Sequence, residues 1–159
     1  MNTKLLIIHA DDLGLSHSTN MASIQALKYG LVTSGSVMMP CPFAHEMVGY
    51  SKQHPDLDIG IHLTLTSEWA GHQWKTLLGN QVSSLTNSNG FLFETCEELG
   101  AKAQIIEVEQ EMRAQIEMAI TAGLSPAHLD CHMFAGIINP EFLNIYLQLG
   151  REYGLACIT

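Results

Sequence analysis

Residues 7–17, Ile7-Ile8-His9-Ala10-Asp11-Asp12-Leu13-Gly14-Leu15-Ser16-His17, set an apolar run against two adjacent carboxylates, a glycine and two histidines. The run over residues 5–8 has the short, unbroken hydrophobicity of a strand buried in a parallel sheet. Polar residues end it, and Ser16 or Ser18 then offers a side-chain oxygen to cap a helix. Met21, Ile24 and Leu27 recur at helical spacing, and Gly30 closes the segment. Strand, acidic loop and helix make a βα unit with the carboxylates at the C-terminal end of its strand.

The same alternation repeats outward. Residues 32–39 predict a second strand, residues 43–53 a helix with Pro42 near its start, and residues 57–65 a third strand. From 66 to 104 the pattern dissolves into Gly71, Gly79, Gly90, Gly100 and a Ser/Asn-rich run, a loop long enough to be functional or to hide further elements. Helical periodicity returns with Ile105, Val108, Met112, Ile116, Ala119 and Ile120, ended by Gly123. Glu109 and Arg113 pair at i,i+4, and Glu107, Glu109 and Glu111 suit the positive end of that helix. Residues 127–132 predict a fourth strand, Asn139-Pro140 caps a helix over 141–153, and residues 155–158 a fifth strand. The expected fold class is α/β, parallel βα units of an incomplete TIM-like barrel, in a single domain over residues 1–159. Five strands are too few to close a barrel of eight, and the open edge invites association with a second copy.

Composition excludes several functions. Seven Lys plus Arg against 16 Asp plus Glu give a net charge of -9, the wrong sign for nucleic acid or an anionic membrane surface. Cys41, Cys96, Cys131 and Cys157 show no C-x-x-C spacing, which favours reduced thiols over disulfides or a zinc knuckle. No 18 apolar residues run together, and too few precede the acidic pair for a signal-peptide core, so a cytoplasmic protein is expected.

In α/β sheets and barrels the chemistry collects at the C-terminal ends of the strands. Three strands here carry metal-type ligands: Asp11-Asp12 after the first, His62 on the third, and His128-Leu129-Asp130-Cys131-His132 along the fourth. Period two sends His128, Asp130 and His132 to one face. Taken alone, the acidic pair would serve as a helix cap and His62 as a hydrogen-bonded core residue. Together, a carboxylate and two imidazoles make a facial set for one divalent ion with positions left open to water. A second carboxylate beside the first is then free to accept a proton.

Four blocks, His9-Ala10-Asp11-Asp12-Leu13-Gly14-Leu15-Ser16, Gly30-Leu31-Val32-Thr33-Ser34-Gly35-Ser36, Gly60-Ile61-His62-Leu63-Thr64-Leu65-Thr66 and Pro126-Ala127-His128-Leu129-Asp130-Cys131-His132, resemble the YdjC family of carbohydrate deacetylases. The resemblance implies a polysaccharide-deacetylase-like barrel, a divalent ion (Mg2+ or Zn2+) on Asp12, His62 and His132, and Asp11 as general base. The implied reaction hydrolyses a linear amide, removing acetyl from an N-acetylated sugar. Family members continue beyond this length and carry there a His-Pro segment that supplies the general acid. This chain lacks it, so His128 is the candidate substitute, with a supporting role beside Asp130 as the alternative. A shortened member that binds metal or sugar without turnover, or a metal hydrolase of another amide or ester, are the rival readings. Trp69 and Trp74 flank His72 in the long loop, where their faces would stack on a sugar substrate or cover the core.

Overall fold

The computed structural model describes residues 4–158. Five parallel strands, β1 (His9–Leu13), β2 (Ser34–Val37), β3 (Asp58–Leu63), β4 (His128–Cys131) and β5 (Ala156–Cys157), lie side by side in chain order. The crossovers are helical: α1 (His17–Tyr29) after β1, α2 (Ala44–Gln53) after β2, α3 (Cys96–Lys102) and α4 (Ile105–Ala122) after β3, and α5 (Pro140–Tyr153) after β4. Sequential parallel strands joined by helices form the arc of an incomplete TIM-like barrel.

The two faces of this sheet differ in chemistry. Val37, Ile59, Ile61, Leu63 and Leu129 are fully or almost fully buried, as are Val108, Met112, Ile116 and Ala119 on α4 and Phe142, Tyr146 and Leu149 on α5. Each large apolar side chain so buried contributes about 1.5–3 kcal/mol. The alternate strand positions Ser34, Ser36, His62, His128 and Asp130 are buried as well, yet polar. That polar wall is the surface from which the site is built. The Tyr146 hydroxyl, 2.6 Å from Leu129 O and 2.9 Å from Ile158 O, ties α5 to the last strands.

Two expectations change. The first strand is not the apolar run: β1 begins at His9, where pairing with Ser34 starts, and Leu5, Leu6 and Ile7 are 91%, 79% and 70% exposed. Hydrophobicity marked a segment that wants cover, whereas hydrogen-bond register marks the strand. The long segment after β3 is packed rather than loose. It holds a 3-10 stretch (Gly79–Leu85), a bridge between Thr86 and Leu92, and α3, with Val82, Leu85 and Leu92 fully buried. Thr95 caps α3 by accepting from Glu98 N at 3.2 Å, a Thr-x-x-Glu signature that was present in the sequence. Elsewhere the boundaries move by a residue or two. No helix among the described residues is long and apolar enough to cross a membrane.

Candidate active site

The acidic pair sits on a bulge. β1 pairs Ala10 with Gly35 but Leu13 with Val37, so one extra residue is inserted on β1 between them. Asp12 takes up the irregularity at φ 57°, a left-handed conformation that costs an L-residue about 1–2 kcal/mol. A regular strand would send Asp11 and Asp12 to opposite faces; the bulge lets both line one cleft. Gly14 then turns the chain at φ 93°, where a Cβ would lie 2.9 Å from the Ala44 backbone. Buried Asn20 locks this turn, accepting from Gly14 N at 2.7 Å and donating to Phe43 O at 3.0 Å. Ser16 caps α1 by accepting from Thr19 N.

Asp12, His62 and His132 converge across the sheet. Asp12 Oδ1 is 3.3 Å from His62 Nε2 and 2.9 Å from His132 Nδ1. One ligand atom from each of the three lies within 4.8 Å of the others. The second nitrogen of each ring faces another carboxylate: His62 Nδ1 is 2.8 Å from Asp130 Oδ1, and His132 Nε2 is 3.0 Å from Glu68 Oε2. Carboxylates in that position fix the tautomer and orientation of metal-ligating imidazoles. The donor set therefore fits a divalent ion. Burial works against charge on His62, but the flanking Asp12 and Asp130 carboxylates outweigh it and push its pKa up to about 9. Burial also opposes ionisation of Asp12 and Asp130. The facing imidazoles, His132 and His62 for Asp12, and His62 and His9 for Asp130, nonetheless hold both below the ordinary carboxylate range.

Surrounding residues hold these groups in place. Trp74 packs edge-on against the His132 ring at 5.8 Å and donates its Nε1 proton to Thr66 O at 2.9 Å. Gln115 on α4 bonds Thr64 at both ends, accepting from its N at 2.9 Å and donating to its O at 2.8 Å. Glu111, expected only to suit the helix dipole, is fully buried and accepts from Leu77 N and Leu78 N. It anchors the far end of the segment that carries Glu68. After His132, Met133 and Phe134 both adopt φ above 50°, two strained non-glycine residues in a row. They form, with Ile137 and Ile158, the apolar wall of a cleft of about 450 Å³ whose polar wall is Asp11, Asp12, His62, Glu68, Asp130 and His132.

Not every residue singled out in the sequence reaches this cleft. His128 points away from it, toward the N-terminal ends of the strands, with Nδ1 3.2 Å from Asp58 Oδ1. The substitute-acid role is corrected accordingly, because a proton donor four residues down the strand does not reach the cleft mouth. Trp74, 4% exposed and bonded through its indole nitrogen, has no free face for a sugar; it packs on a candidate ligand instead. Trp69 is exposed but does not line the cleft. Glu68, Met133 and Phe134 were missed. Glu68 lies in a loop without periodicity, and its role depends on a fold-level approach to His132.

A family profile described as YdjC-like protein matches residues 5–159. A carbohydrate deacetylase of Thermus thermophilus is 41% identical over 152 residues, covering 96% of this chain and 52% of the relative. One from Brevibacillus brevis is 35% identical, covering 93% of this chain and 56% of its own length. A crystal structure from Enterococcus faecalis V583, named for cellobiose-phosphate cleavage, superposes with a TM-score of 0.87 at 33% identity, covering 95% of this chain and 57% of that one. The chain thus spans a little over half the length of these relatives. With the profile matching nearly every residue, and the five-stranded arc shared with the solved structure, the chain belongs to the YdjC-like family.

Proposed function

We propose that this chain carries the site of a metal-dependent hydrolase that removes acetyl groups from N-acetylated sugars. The observation that carries the reading is the convergence of Asp12, His62 and His132 on one cleft with Asp11 beside them. The names of the relatives, carbohydrate deacetylases, supply the substrate class. A divalent ion on the three ligands, Mg2+ or Zn2+, would acidify a water and offset the charge that develops on the acetyl oxygen. Asp11, exposed at the mouth of the cleft, accepts the proton as water attacks the carbonyl carbon. The C–N bond breaks, acetate forms, and the amine departs with the proton that Asp11 took from the water. Phe134 and Met133, both more than half exposed, offer the apolar surface against which a sugar ring and its acetyl methyl would lie. Trp69, next to Glu68 and exposed, is available to a longer oligosaccharide. Its four free cysteines suit the reducing cytoplasm.

The reading is tested by substitution. Asp11→Asn should retain metal but lose at least a hundredfold in acetate release, whereas His132→Ala should lose the metal. An Asp11→Asn variant with undiminished turnover would show that the base lies elsewhere.

A further inference from the structure

Below the cleft, toward the N-terminal ends of the strands, a second set of ligand-type atoms converges. His9 on β1 and His128 and Asp130 on β4 each bring one ring nitrogen or carboxylate oxygen within 4.8 Å of the other two. His9 Nε2 is 3.1 Å from Asp130 Oδ2, and the two imidazoles meet edge to face with centroids 5.2 Å apart. The His128 side chain is only 7% exposed, and its Nε2 is sealed from solvent with no hydrogen-bond partner among the described residues. Gly60 creates the space for this ring, since a Cβ there would lie 2.4 Å from His128 Nε2. Buried ring nitrogens are ordinarily satisfied, so an unpartnered one calls for an ion or a water.

We propose that His9, His128 and Asp130 form a second site for a divalent transition ion of the zinc type, distinct from the Asp12, His62 and His132 set. Two imidazoles and a carboxylate are the donors such ions prefer over magnesium. Each proposed ligand is held from behind. His128 Nδ1 faces Asp58 at 3.2 Å, His9 Nδ1 faces Ser34 Oγ at 3.1 Å, and Ser36 donates to Asp130 Oδ2 at 2.9 Å. Ser36 Oγ also lies 3.0 Å from His9 Nε2, so it competes for the nitrogen that an ion would take. Asp130 touches both sets, because its Oδ1 faces His62 Nδ1. An ion here would therefore position His62 through Asp130 and would not itself meet the substrate.

Metal content after loading with Zn2+ and gel filtration tests this directly. The wild-type chain should carry two ions, and His128→Gln and His132→Ala should each carry one. His9→Gln, at a partly exposed position, should also drop to one ion without disturbing the buried imidazole. A wild-type content of one ion, unchanged in His128→Gln and His9→Gln, would overturn the second site, as would two ions retained in both variants. A single ion lost in His128→Gln but kept in His132→Ala would uphold the second site and remove the first.

Discussion

Gly60→Ala tests whether the polar wall is packed as described. A Cβ at this position would lie 2.4 Å and 2.5 Å from Nε2 and Cδ2 of His128 and 2.6 Å from its carbonyl oxygen. The ring is a side chain that turns about its own torsions, whereas the carbonyl belongs to a strand paired with β3. Relief therefore requires β3 and β4 to part beside the pairs Ile61–Leu129 and His62–Asp130. Overpacking of this kind costs about 1–3 kcal/mol. With no flexible neighbour to absorb the backbone contact, the upper end is expected, a fall in Tm of about 5–10 °C for a chain of this length. Urea titration and thermal melts measure it, with Gly49→Ala as the control. A Cβ at Gly49, inside α2, meets nothing within 4 Å, so that substitution should be neutral or stabilise by up to about 1 kcal/mol. If Gly60→Ala proves as stable as wild type, His128 does not lie across β3 and the packing account fails.

Four further outcomes follow from the same geometry. The raised His62 pKa means that metal must displace a proton, so apparent affinity should climb about tenfold per pH unit, roughly a hundredfold from pH 6 to pH 8, in chelator competition; a flat profile would contradict it. The sign for folding is opposite: the stabilisation that charged His62 gives the metal-free chain is complete below about pH 6.5 and is lost as pH rises through about 9. Glu68→Gln, by loosening the hold on His132 Nε2, should weaken metal binding about 10–100-fold by calorimetry with little change in fold, and an unchanged affinity would leave Glu68 without that role. The exposed Leu5, Leu6 and Ile7 beside the open edge of β1 should draw copies of this chain together, so light scattering should give a mass above that of one chain; a monomer at high concentration would refute it.

The architecture was legible because its signals are local. Ser16, Gly30, Gly123, Asn139-Pro140 and Gly154 punctuate helices through their own backbone chemistry, and they do so in the structure. Spacing along β4 put chemistry-bearing side chains on one face, the resemblance named Asp12, His62 and His132 among them, and these three do come together as a group that could hold an ion. Three features were not legible, each for a physical reason. The bulge that turns Asp11 and Asp12 into one cleft depends on register with β2, which no local pattern encodes. Period two correctly put His128 on the inner face but could not say that it lies too far from the strand's C-terminal end to serve the cleft. Trp74 and Glu68 act on His132 across 58 and 64 positions of sequence, distances at which only the packed fold decides what touches what.

The most direct test is acetate release from diacetylchitobiose by the metal-free protein, before and after one divalent ion per Asp12 site is restored. Release that appears only with the ion, and disappears in Asp11→Asn, is the predicted result. An absence of acetate with the ion held by Asp12, His62 and His132 would contradict the assignment of this cleft as a deacetylase site.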